Sequence, residues 1–149
     1  MKELTIQEVE YTAFRMAQEL LKFDEPIPDF TTRFPNVLES CLRTPFQKFG
    51  RKYLYQTFVS KAAMLFYLMI KNHPFQNGNK RIAITTLLLF LLMHKKNWVG
   101  ANIQDFYNFT IWVAQSLSKE KQYVIYAIEG FITKQFIILK PAYKPTLRA

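Results

Sequence analysis

Apolar residues recur along most of this chain at the three-to-four-residue spacing of a helix, and the breaks between such runs are short. Thr5-Ile6-Gln7-Glu8 has capping-box form, a hydroxyl residue with a carboxylate three positions later, and predicts a helix running to about Lys22. Its apolar positions Val9, Ala13, Met16, Ala17 and Leu20 follow one face. Asp24 to Pro35 contains three prolines and reads as a loop. Asn36 to Arg43 reads as a short helix. Thr44 to Lys52 carries a proline, a glycine and alternating basic and aromatic residues, the pattern of an extended loop or small hairpin.

Two later runs are different in kind. From Leu54 to Asn72, one stripe holds Leu54, Phe58, Ala62, Leu65 and Met69, and a second holds Tyr55, Val59, Ala63, Phe66 and Ile70. A helix apolar on most sides belongs in the centre of a fold. Pro74 disfavours helical geometry at the residue before it, so this helix is predicted to stop at His73. The next helix, Lys80 to about Met93, is also apolar nearly all round, with Asn79 as its predicted N-cap. A tight loop, 73–79, joins the two. Asn102 opens a further helix to about Leu117. Ser118 or Lys119 opens a last one to about Ile137, interrupted by Gly130 at about 1 kcal/mol relative to alanine. The stretch from Pro141 onward reads as a loose tail. These elements predict an all-α bundle, one domain over residues 1–149, with a motif loop between two central buried helices.

Composition narrows the function classes. Half the residues are hydrophobic, which supports a packed core rather than disorder. The longest nearly apolar run, Ile82 to Met93, falls short of the roughly 20 residues a membrane span needs, so no membrane partner is expected. The start, Met1-Lys2-Glu3-Leu4, does not resemble a secretory leader, and the single cysteine, Cys41, cannot form an internal disulfide. A cytoplasmic protein is expected, with Cys41 as a packing residue. The net charge of +9 is uneven: residues 40–104 hold ten bases and no acid, whereas residues 1–39 hold eight acids. A basic centre attracts anions, nucleic acid among them. No zinc-finger, helix-turn-helix or RNA-binding signature supports nucleic acid as the partner.

The loop itself is chemically dense. It reads His73-Pro74-Phe75-Gln76-Asn77-Gly78-Asn79-Lys80-Arg81. A helix N-terminus offers free N–H groups and partial positive charge, and phosphate binds there readily. Gly78 lets the backbone turn and approach an anion. Lys80 adds a point charge, and the Arg81 fork can grip two phosphate oxygens. His73 can accept a proton from a hydroxyl near neutral pH. Phe75 is placed to anchor the loop in the core. Singly, each residue has an ordinary explanation: a histidine favoured at a helix C-terminus, an Asn-Gly turn, a basic surface pair. Their joint occurrence ahead of a buried helix points to transfer of a phosphate-containing group to a hydroxyl. The other histidine, His94, reads as a partner for a helix C-terminus.

This nine-residue segment resembles the signature of the Fic/Doc family, in the form typical of its Doc ("death on curing") branch. The resemblance extends over about residues 35–100. It implies an all-helical fold and transfer of a phosphoryl or nucleotidyl group from ATP or another nucleoside triphosphate to a protein hydroxyl. His73 matches the family's general base. Gly78 and Asn79 match its anion-binding turn, and Arg81 its phosphate-contacting arginine. Arg43, Thr44 and Pro45 fall where the family has a flap that aligns the target. Lys80 stands where typical Fic enzymes have glycine, and Ile84 where they have a second arginine. Fic enzymes generally transfer AMP, whereas the Doc type transfers the terminal phosphate to elongation factor Tu, so the Lys80 form favours kinase-type chemistry. The resemblance also implies magnesium as cofactor; Asn77 occupies a position often held by an acid that binds it, and an amide oxygen is a weaker ligand, so the ion is expected to be held mainly by the triphosphate with Asn77 as a weak metal ligand.

The resemblance also bears on regulation. Many Fic proteins carry an inhibitory helix with Ser/Thr and Glu four apart. The nearest match here, Ser116 and Glu120, is broken by Lys121. Inhibition by a separate antitoxin is therefore expected. Three readings stay open at this level: a Doc-like toxin blocking translation, an adenylyltransferase, and a catalytically weak module that binds an antitoxin or nucleic acid.

Overall fold

The structure is a computed structural model, and it describes residues 1–138. The predicted loose tail from Pro141 lies outside them. The first helix, α1, covers residues 6–20 in three consecutive stretches: α-helical Ile6–Glu8, π-helical Val9–Phe14 and α-helical Arg15–Leu20. The Thr5 hydroxyl accepts from the Glu8 N–H, and the Glu8 carboxylate accepts from the Thr5 N–H, which completes the capping box. After the wider π turn Ala17 stays inside, but the end of the helix is turned off the predicted stripe. Leu20 is consequently 69% exposed, and Leu21 is buried in its place.

Helix α2 is Pro35–Arg43, with proline in its first turn, where the missing N–H costs no bond. A 3₁₀ turn, Thr44–Phe46, follows it. The hairpin expectation is met by β1 (Lys48–Phe49) and β2 (Lys52–Tyr53), paired Lys48 to Tyr53 and Phe49 to Lys52, with Gly50 at φ +64° in the turn.

Helices α3 (Phe58–Lys71) and α4 (Asn79–Met93) form the centre. Every residue from Lys61 to Ile70 is buried, as is every residue from Arg81 to Leu87. The predicted start of α3 at Leu54 is corrected: Leu54 is 51% exposed, and Thr57 caps the helix by accepting from the Ser60 N–H at 3.0 Å. The apolar residues just ahead of Thr57 serve the hairpin instead. The side chain of Thr85 on α4 donates to the Ala13 carbonyl at 2.7 Å, tying α1 to the core.

Helices α5 (Ile103–Gln115) and α6 (Lys121–Gln135) pack over this pair. Asn102 caps α5 as predicted. The last helix stops at Gln135 rather than Ile137, because β4 (Phe136–Ile138) pairs antiparallel with β3 (Lys96–Trp98). The Phe-Ile-Ile sequence suits a strand, and the Gln135 carbonyl accepts from Val99 and Gly100, ending the helix by competition. The fold is thus all-α with two short two-stranded sheets among the described residues. None of the described helices is long and apolar enough to cross a membrane.

Candidate active site

Helix α3 ends at Lys71 with Asn72 as its C-cap, and His73 follows with φ +50°. That left-handed position after a helix usually belongs to glycine; histidine tolerates it better than most residues. The Pro74 carbonyl accepts from the Phe34 N–H at 2.9 Å. Phe75 is buried between Phe14 and Phe30, at ring separations of 5.5 and 5.9 Å. The loop is therefore fixed to the core just beyond His73, while His73 itself stays exposed.

The start of α4 differs from the sequence expectation. Gly78, with φ +80°, takes the N-cap position, and Asn79 is the first helical residue. The Asn79 side chain faces back across the loop, donating to the Phe75 carbonyl at 2.8 Å and accepting from the Phe75 N–H at 2.9 Å. Its amide holds the loop shut, which leaves the backbone N–H groups at the start of α4 to meet a ligand. Gly78 is needed for two reasons: its left-handed φ, and Ile27, whose side chain a Cβ would meet at 2.6 Å. The residue that crowds Gly78 is thus Ile27.

A cavity of about 180 Å³ opens here, lined by His73, Gln76, Asn77, Gly78, Asn79, Lys80 and Arg81 from the loop. Ile70 of α3, Tyr107 and Ala114 of α5, and Asp24 complete its wall. The histidine, both cations and the helix start share one cavity.

Asp24 and Tyr107 carry no sequence signal that singles them out. The 21–27 segment returns over the motif loop from fifty residues away. Asn77 donates to the Pro26 carbonyl at 3.4 Å and the Glu25 carboxylate at 3.5 Å, while its own carbonyl oxygen accepts from the Gly78 N–H at 2.8 Å. Arg81 is only 3% exposed. Its guanidinium donates to the Leu21 carbonyl at 3.2 Å and the Glu25 carbonyl at 2.6 Å. Two of its five N–H groups are thereby engaged by protein. Asp24, at φ +70°, accepts from the Tyr107 hydroxyl at 3.3 Å. Burial first, then the Asp24 carboxylate beside it, hold the Tyr107 phenol above its usual range, with Arg81 pulling the other way.

The other candidate residues lie apart from this cavity. Arg43 is the last residue of α2 and pairs with Glu39 at 3.3 Å on the surface. Thr44 and Pro45 are in the 3₁₀ turn, so extended backbone begins only at Gln47, just ahead of β1. Cys41 is fully buried, its thiol donating to the Leu68 carbonyl at 3.5 Å. Burial pushes the thiol up to about 12, against a smaller opposing effect of the Asn72 side chain. His94 closes α4 through hydrogen bonds to the Phe90 carbonyl at 2.8 Å and from the Lys2 N–H at 2.9 Å.

Magnesium typically takes one or two carboxylates together with substrate phosphates. The cavity provides one carboxylate, Asp24, and the Asn77 carbonyl, which already accepts from Gly78. No cluster of three or more His, Cys, Asp or Glu suited to a metal exists among the described residues. This donor set fits a cation carried in by phosphates rather than one held by protein alone.

A comparison with curated proteins and one with solved structures each gave no match. A family model did match, over residues 3–91, which takes in α1 to α3, the whole motif loop and α4 as far as Leu91. Group transfer from a nucleoside triphosphate, the general activity of that family, agrees with a histidine, two cations and a helix start in one cavity. On that match, the chain belongs to the Fic/DOC family.

Proposed function

We propose that this protein is a Doc-type toxin that transfers the terminal phosphoryl group of a nucleoside triphosphate to a hydroxyl of a target protein, elongation factor Tu, and so blocks translation. One observation carries the reading: His73 lines the same cavity as the start of α4 with Lys80 and Arg81. In this mechanism His73 takes the proton of the target hydroxyl. The hydroxyl oxygen attacks the terminal phosphorus, the bond to the bridging oxygen breaks, and the nucleoside diphosphate leaves. The transferring group carries negative charge throughout, so stabilisation falls to fixed positive groups: the free N–H groups of α4, Lys80 and the remaining donors of Arg81. A magnesium ion bound with the triphosphate would neutralise further charge, with Asp24 and Asn77 as the residues to hold it. The Lys80 and Ile84 positions support phosphoryl over AMP transfer through the family likeness.

Inhibition by a separate antitoxin is part of this reading. Ser116 caps the end of α5 and Glu120 closes a 3₁₀ turn, so no helix carries both in the spacing of a built-in inhibitor. The test uses labelled ATP with purified elongation factor Tu. Label from the γ position on the factor, lost in His73→Ala, is the expected result. Label from the α position would replace kinase chemistry with AMP transfer. No label from either, with toxicity unchanged in His73→Ala, would leave only a binding module.

A further inference from the structure

The segment joining α1 to the 3₁₀ turn Phe30–Thr32 is braced against the site on every side that the hydrogen bonds reveal. Its Leu21 and Glu25 carbonyls hold Arg81, and its Glu25 and Pro26 oxygens receive Asn77. Phe23 packs edge-on against Tyr107 at 4.7 Å, and the Tyr107 hydroxyl donates to Asp24. Asp24 and Arg81 also line an adjoining cavity of about 420 Å³ with Gln18, Lys22, Pro26 and Ile27. Asp24 thus stands, exposed, in the wall between two cavities, held in left-handed backbone, its carboxyl accepting from the Glu25 N–H at 3.1 Å and from Tyr107, which lines the smaller cavity with it.

An acid is the wrong charge for a pocket built of a helix start and two cations. An ionised carboxylate only accepts hydrogen bonds, and so do phosphate oxygens. Facing one cavity of about 180 Å³ they repel, with solvent at the exposed Asp24 screening part of that repulsion. A divalent cation shared between them reverses that sign, and one carboxylate with phosphate oxygens is an ordinary magnesium environment.

We propose that Asp24 is the charge-selecting residue of this cavity: it turns away free polyphosphate and admits polyphosphate that carries a divalent cation. The inference rests on the cavity being the polyphosphate site, and it adds a residue outside the motif, from a segment the motif cannot see. It also gives the Asn77 variation a counterpart, since the acid missing from the loop is supplied from across the cavity.

Tripolyphosphate binding to the full chain, measured by calorimetry in EDTA and in magnesium, tests this. Magnesium should tighten binding to the parent roughly tenfold or more. Asp24→Asn keeps an acceptor for Tyr107 and suits left-handed backbone, so it should fold. It should bind free tripolyphosphate roughly tenfold tighter than the parent does, and its magnesium preference should shrink to about threefold or less. Asp24→Glu retains the charge and should retain the preference. The proposal fails if Asp24→Asn shows the parent's magnesium ratio, or if Asp24→Glu behaves like Asp24→Asn. If the parent binds tripolyphosphate in neither buffer, the polyphosphate reading of the cavity falls, and this inference with it.

Discussion

Gly78 turns the chain in left-handed backbone, and Ile27, from fifty-one positions away, fills the space beside it with no local trace in the sequence. Gly78→Ala must place a Cβ at φ +80° and displace Ile27. The expected loss is about 1–2 kcal/mol from the left-handed backbone alone, read from urea unfolding. Asn79 was misread for a similar reason: the Asn-Gly-Asn pattern suggests a cap, while the bond to Phe75 depends on how the loop folds back. Asn79→Ala should leave α4 intact but loosen residues 75–79, seen as faster amide exchange there with little change at Ile82 to Leu87. Cys41 gives a pH prediction. Its thiol keeps its proton to about 12 when folded, against 9.0 ordinarily. Between those values the unfolded chain has lost the proton and the native one has not, so this group lowers stability as pH rises. Below 9.0 it contributes nothing. At pH 8 a thiol reagent should leave Cys41 untouched in the native protein and modify it fully in urea; rapid native labelling would contradict the burial.

At the scale of elements, helix existence followed from hydrophobic period, and boundaries followed only where a local cap marked them, as at Thr5 and Asn102. The apolar run from Leu54 suggested a helix four residues too long, because Tyr53 and Tyr55 belong to the hairpin and its return. What fastens that hairpin is Lys61, fully buried on α3. Its ammonium donates to the Tyr55 carbonyl and lies over the Tyr53 ring at 4.2 Å and the Phe46 ring at 5.8 Å. Burial lowers its pKa from the usual lysine range. A lysine in an apolar helix gives no sign in sequence of holding a neighbouring hairpin. Lys61→Met keeps the packing volume but removes the donor, leaving the Tyr55 carbonyl unpaired at a cost of about 1–3 kcal/mol. Trypsin should then cut at Lys48, Arg51 or Lys52 several times faster than in the parent, while α3 and α4 remain folded. Equal cutting rates would mean that other contacts hold the hairpin.

Over the whole molecule, the family match ends at residue 91, and the site does not. Tyr107 and Ala114 of α5 line the cavity, and Lys71, two residues before His73, donates to the Ala114 and Ser116 carbonyls at 3.2 and 2.6 Å. The C-terminal helices therefore position the loop as well as cover the core. Their burial is large on the scale of net stability. Phe106, Val113, Val124, Ile128 and Ile132 are each 0–1% exposed. Each such side chain contributes about 1.5–3 kcal/mol. Five together approach or exceed the roughly 5–15 kcal/mol by which a domain of this size is stable. Removing them would also bare the apolar faces of α3 and α4 that they cover. A chain cut after Trp98 should accordingly lack a cooperative thermal transition and bind hydrophobic dye, although it contains the whole motif. A sharp transition in that fragment would mean that α1 to α4 form a self-sufficient core, with α5 and α6 serving only to close the cavity.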